Sequence, residues 1–394
     1  MVSKIWKFLL WAMNLKLIDF KTKNMNHHLL KPIFLVIFLG IAIVSFSQNN
    51  YKFLVGTYTQ GTKSEGIYSL VISDKGKLES IKLLAKTDNP SYLAFSPDKK
   101  YVYAANETGK ESAVSAFQFD KGNESLKFLN SLPVNGDPCH LSCSDKHVIT
   151  ANYSGGSISV FERGKDGLLK EKVQEIVQPK KNFGNNHFGM SNIHQVLFSP
   201  DSSFLMVTNL GSDHVYTYVY HPDSANNVLE EKYQIKVQKG SGPRHLVFTR
   251  NGRYLYLVQE LNGGITVFSA TKDGKLNIIQ ETTLITDRTK KFAAAEIALS
   301  PDEKFLYASD RIETNNITCF KVSKENGTLS FVEQVYTDGV NPRFFTLTND
   351  GKYIIVGNQQ TNNIVIFQRN RNNGKLKKIN EIKGIDAPVC FLAY

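Results

Sequence analysis

A period of about fifty residues runs through this chain and limits its fold more than any other feature. Strand-like runs open successive units near Pro90, Pro138, Ile193, Pro243, Ala294, Pro342 and Pro388, at intervals of 48, 55, 50, 51, 48 and 46 residues. Each unit holds four short strand-like runs, here called a to d. A repeat of that length with four strands is the mark of a β-propeller. The turns between a and b read Ser-Pro-Asp (96–98, 199–201, 300–302), Thr-Arg-Asn-Gly (249–252) or Thr-Asn-Asp-Gly (348–351). Proline pre-sets φ for the second turn position, and Asp or Asn bonds back to the backbone. Residues 51–88 supply strands b, c and d without an a, whereas Pro388–Tyr394 is an a standing alone. Joining them gives a seventh blade built from both ends and closes the ring. The expected fold is therefore all-β, a seven-bladed propeller over residues 48–394, with its longest insertion at residues 173–192.

Propeller geometry turns this repeat into a site. Strand a lines the channel and strand b returns, so residues leading into a and residues leaving b share one mouth. The stretch from Gly242 to Leu261 shows this best. Its two apolar runs flank Asn251-Gly252, a strong hairpin signal. Arg244 and His245 precede the first run and Glu260 follows the second, so the three are expected to meet. Corresponding positions in other units supply His140, His194, Asn209, Asp310, Arg311 and Arg343. A purely structural repeat wants Asn at the end of b to cap the turn, which covers Asn106, Asn152, Asn209 and Asn358. It does not ask for His194, Arg244, Glu260, Arg311 or Arg343. Charges gathered at one mouth are costly unless paired or bound to an anion. Two readings follow: a functional site, or a ring of ion pairs that only joins blades.

Charge and export signals narrow the partners. Residues 25–47 combine Lys31, an apolar run from Ile33 to Phe46 and Ser45-Phe46-Ser47, as in a secretory signal peptide. The apolar run is shorter than the ~20 residues that span a bilayer. Cleavage is expected before Gln48, with Met25 as the expected start, leaving no stable membrane anchor and a periplasmic or extracellular protein. Losing six lysines and one aspartate with residues 1–47 lowers the formal charge from +11 to about +6. That suits an anionic small molecule and argues little for nucleic acid. Cys139 and Cys143 lie four apart on one strand, too far for a disulfide. Those two, Cys319 and Cys390 read as buried apolar residues. No C-x-x-C pair, nucleophile elbow or phosphate loop is present, so neither metal nor cofactor is expected. A closed ring shields its sheet edges, which favours a monomer.

GPRHLVF, VQEL, SPDEKFLYASDR and NPRFF together resemble the seven-bladed lactonase family, whose members include 6-phosphogluconolactonases and the fungal carboxymuconate-cyclising enzyme. The resemblance spans roughly residues 51–394. It implies hydrolysis of a sugar lactone, with His194, Arg244, Glu260 and Arg311 tied to the reaction. His245, Asp310 and Arg343 also match its motifs, and His140 and Asn209 join them as expected substrate contacts. Gln259 departs from the family's Asn before the Glu. Glu260 or His194 would activate a water. Arg244 and Arg311 would stabilise an oxyanion or hold an anionic group of an anionic lactone or sugar acid. Two further readings stay open: an exported propeller that binds an anion without turnover, and a muconate-type lactonising cycloisomerase.

Overall fold

The computed structural model describes residues 50–178 and 190–394. The expected signal peptide, and most of the 173–192 insertion, lie outside the described residues. Among the described residues, twenty-eight strands form seven antiparallel sheets of four. The innermost strands, among them Pro90–Phe95, Pro243–Phe248 and Pro342–Leu347, touch one another in a closed cycle. The last strand, Pro388–Ala393, pairs with Tyr51–Thr57 in the register Phe53↔Ala393, Leu54↔Leu392, Val55↔Phe391. The chain ends thus share one blade, and buried Phe53 meets buried Phe391 edge to face.

The turns behave as their residues demand. Ser96, Ser199 and Ser300 each donate through Oγ to the Asp two residues on. The residue after that Asp or Asn is left-handed, and Gly252 (φ +69°) and Gly351 (φ +66°) take that conformation without strain. Apolar alternation on the inner strands fills the space between blades. Blades are also tied by buried tyrosines: the hydroxyls of Tyr103, Tyr256 and Tyr307 donate to the carbonyls of Gly167, Gly327 and Gly374 in the next blade. Burying each such ring contributes roughly 1.5–3 kcal/mol, and the hydroxyl bond prevents a desolvation penalty.

The inner strand expected near Ala294 spans Phe292–Leu299, because its strand b is longer than the others. Two expectations need correction. Residues 173–177 are not insertion but the end of the outer strand Leu169–Val177, held on Ser157–Arg163. Cys143 is only half-buried, since it sits at the far end of its strand; the other three cysteines are buried, and all four are free.

Every inner strand carries an irregularity near its leading end. Pairing jumps from Pro90 to Tyr92, Pro138 to His140, Ile193 to Gln195, Pro243 to His245, Ala294 to Ile297 and Pro342 to Phe344. The skipped residues include Cys139, His194, Arg244, Glu296 and Arg343. A bulge leaves its extra residue unpaired and re-aims the side chain. Repeated around the ring, it presents a set of side chains to the channel mouth.

Candidate active site

Glu260 is the hub. Its Oε2 accepts from Arg244 Nε at 3.0 Å, and its Oε1 lies 3.0 Å from Arg311 Nη2. Glu260 follows strand Tyr254–Gln259, where its N–H donates to Gly242 and its carbonyl accepts from Ala294 N–H. Those bonds fix the residue across two blades. Gln259 points into its own blade and donates to Thr266 Oγ1 at 2.6 Å, so the departure at this position leaves the orientation of Glu260 to its backbone. Burial opposes ionisation of Glu260. Arg311, Arg244 and Arg343 overcome it and hold the carboxyl below the ordinary carboxylate range.

The two arginines are held from behind. Arg244 Nη1 donates to the Ala295 carbonyl at 2.7 Å, while Arg311 Nε and Nη2 donate to the carbonyls of Ala293 and Ala294. Arg311 sits high at the mouth because its strand runs to Ile312 and keeps it paired with Ala293. The strand stops at Ile312 itself, a β-branched residue at φ +76°, a conformation that costs energy. Arg244 Nη2 and Arg311 Nη1 have no hydrogen-bond partner among the described residues. Burial and Arg311 pull Arg244 down to about 10, which leaves it ionised at neutral pH.

Three imidazoles lie beside this hub. The His245 ring is 5.0 Å from that of His194 and 5.6 Å from that of His140. His245 Nε2 lies 3.4 Å from Arg244 Nη1, which can only donate, and His245 Nδ1 lies 3.1 Å from Glu296 Oε2. Burial and the arginines depress His194 and His245 well below the usual histidine range, so both are neutral at pH 7. His194 Nδ1 has no partner among the described residues. His140 lies against Tyr92 with ring centroids 3.9 Å apart and faces the Gln195 amide at 3.3 Å. Its ring is buried between those two groups, as deeply as Arg244 itself.

Arg343 completes the rim. Its guanidinium stands over the Tyr58 ring at 5.3 Å and 3.9 Å from Glu107 Oε2, to which the Tyr58 hydroxyl donates at 2.6 Å. Two expected contacts lie elsewhere. Asn209 is fully buried and spends its amide on Asn192 N–H, Ser212 N–H and Ser191 Oγ. Asp310 accepts from Ala293 N–H and from the Thr314 hydroxyl, and burial pushes its carboxyl up to about 6. Both brace the loops that carry the mouth. Sequence reasoning passed over Glu296, Glu107 and Tyr58. Glu107 directly follows Asn106 at the end of a strand b, and Glu296 lies where a strand a begins; their charge against a mostly neutral repeat was the available signal. Tyr58 was hidden because its blade is split between the chain ends.

A closed seven-bladed ring with a carboxylate clamped by arginines at its channel mouth defines a propeller of the small-molecule-site class. The chain belongs to the seven-bladed β-propeller lactonase family, whose description, "Lactonase, 7-bladed beta-propeller", matches residues 52–393. It is 32% identical over 342 residues to the 6-phosphogluconolactonase of Bacillus subtilis, covering 85% of this chain and 96% of that one. It is also 32% identical to the 6-phosphogluconolactonase of Formosa agariphila, over 82% of this chain and 94% of the relative. Among solved structures, the periplasmic gluconolactonase of Pseudomonas aeruginosa superposes with a TM-score of 0.83 at 30% identity, covering 88% of this chain and 99% of that one.

Proposed function

We propose that this protein hydrolyses a sugar lactone at the channel mouth, with Glu260 as general base and Arg244 and Arg311 as oxyanion stabilisers. The carrying observation is that both Glu260 oxygens meet arginines that still have N–H groups without a partner among the described residues. A water held on a free lone pair of Glu260 gives it a proton and adds to the lactone carbonyl. The oxyanion forms between Arg244 Nη2 and Arg311 Nη1. As it shares their positive field, Glu260 becomes a stronger base when it is needed. Collapse breaks the ring C–O bond, the proton returns to the departing alkoxide, and the open hydroxy acid leaves as a carboxylate. The anion this mouth serves is thus the one made in the reaction. His194, 5% exposed and pressed by Arg244, is a poorer base than Glu260, whose side chain is 21% exposed.

Hydrolysis of a panel of sugar lactones by the full chain tests the reading. Turnover should be present in the wild type and collapse in Glu260→Gln; saturable binding without turnover of any lactone would favour a binding propeller. Export with cleavage before Gln48 is part of the same proposal, supported by the apolar run Ile33–Phe46 and the small residues after it. N-terminal sequencing of the mature protein decides it. A monomer is proposed from the closed ring, and light scattering checks it.

A further inference from the structure

The mouth adjoins a second cleft. Tyr58 and Glu107 line it, with Arg343 on their far side at the mouth, and the space measures about 680 Å³. Its lining includes Gln60, Glu107, Asp137, Gln359, Gln360 and Asn362, and no lysine or arginine among the described residues. The cleft is pinned in shape. Asn89 Oδ1 accepts from the N–H groups of Thr59 and Gln60, and its amide donates to the Glu107 carbonyl. Asp137 is spent on Gly109 N–H and the hydroxyls of Ser112 and Ser154.

What remains free is mixed in kind. Gln359 uses Oε1 for Asn341 and Asn362 uses Oδ1 for Ala387 N–H, so each keeps its NH₂ group. Glu107 uses Oε2 for Tyr58 and keeps Oε1. The Gln60 and Gln360 amides lie exposed at the rim. Interleaved donors and acceptors suit hydroxyl groups, which do both. A phosphate monoester only accepts, carries about −1.5 to −2 charge and calls for arginine or lysine.

The charge balance points the same way. Three guanidiniums, of Arg244, Arg311 and Arg343, face the carboxylates of Glu260 and Glu107. One positive charge is left, enough for one oxyanion or one product carboxylate. A phosphate on the far end of the substrate would bring its charge beside Asp137, into a lining with no lysine or arginine of its own among the described residues.

We propose that this cleft is the subsite for the hydroxylated tail of a sugar lactone without phosphate, and that the chain selects the unphosphorylated lactone over its terminal phosphate ester. The inference rests on the lactonase reading, and the experiment separates the two. Binding of D-gluconate and 6-phosphogluconate to the full chain is measured by calorimetry, and kcat/KM is measured on the two matching lactones. The unphosphorylated acid should bind tighter by roughly tenfold or more, as like-charge juxtaposition implies. Gln360→Lys should narrow that gap from the phosphate side. Gln360→Ala should raise KM for the unphosphorylated lactone more than it lowers kcat. Equal or tighter binding of 6-phosphogluconate would overturn the subsite, even with lactonase activity intact. The expected binding preference without turnover of either lactone would support the subsite and overturn the hydrolase reading instead.

Discussion

Arginine meets carboxylate at both faces of this ring, with opposite results. On the turn face, Arg369 spans two blades. Its Nη2 lies 3.0 Å from Asp302 Oδ2, its Nε donates to the Gly351 carbonyl at 2.7 Å, and its guanidinium stands 5.9 Å from the centre of the Phe305 ring. Asp302 also caps its own turn through Ser300. One cation meets one anion, and the remaining bonds go to backbone. At the mouth, two arginines share Glu260, a third stands nearby, and N–H groups are left over. The first arrangement is balanced in charge, one guanidinium against one carboxylate. The second is short of one anion, and an active site needs such a shortfall.

The comparison breaks first at Glu260. Glu260→Gln should lower kcat by roughly 10²–10⁴-fold, the span of general-base catalysis, and leave binding of the product acid largely in place. Unchanged turnover on the true substrate would make Glu260 as structural as Asp302. Arg311→Ala should follow, cutting kcat/KM by roughly 10²-fold or more through lost oxyanion stabilisation, with Arg311→Lys a weak rescue because lysine cannot span the Ala293 and Ala294 carbonyls and Glu260 together. An effect on KM alone would mean that Arg311 anchors a substrate group and does not touch the developing charge.

The turn-face pair should answer in stability. Arg369→Ala leaves Asp302 without its cation and the Gly351 carbonyl without its donor. Because Asp302 can still reach water, the loss should be about 1–3 kcal/mol, less than for a fully buried pair. Denaturant unfolding measures it, and kcat per folded molecule should hold. A drop in kcat at unchanged stability would erase the distinction between the two faces.

Repeat logic explains which parts of this were legible in the sequence. Period, turn residues and the spare strand at Pro388–Tyr394 follow from local chemistry repeated seven times, so the ring and its closure could be read directly. Arg244, Glu260 and Arg311 could be placed at one mouth because they interrupt that repeat. The bulge could not be read. It adds one residue per strand, follows a proline in five of the seven that reads equally well as a plain strand start, and decides that Arg244 and Arg343 turn to the mouth while His140, paired with Ala151, lies against Tyr92. Asn209 and Asp310 show the converse limit: a polar residue at the end of strand b looks the same whether it holds a ligand or a loop, and only the partners of its oxygens distinguish them.

The smallest expected effect lies in the pH profile. Glu260 is held below the ordinary carboxylate range, so it stays ionised, as the proposed base must be, until pH falls through that lowered value. Its stabilising pairing is present above the unfolded carboxylate range and is lost over the same acid limb. Glu296 behaves in the opposite sense. Burial, against the opposing pull of Arg244 and Ile297 N–H, pushes its carboxyl up to about 8. The folded protein therefore keeps a proton there that the unfolded chain has lost, and stability falls as pH rises from the ordinary carboxylate range through about 8. Near that pH a new negative charge appears beside His245 and within the field of Arg244, where it competes with the oxyanion. Turnover, corrected for spontaneous lactone opening, should decline by roughly two- to fivefold across this limb, far less than the loss from removing the base. Glu296→Gln should flatten the decline and leave the acid limb untouched. Persistence of the same limb near pH 8 in that variant would assign it elsewhere.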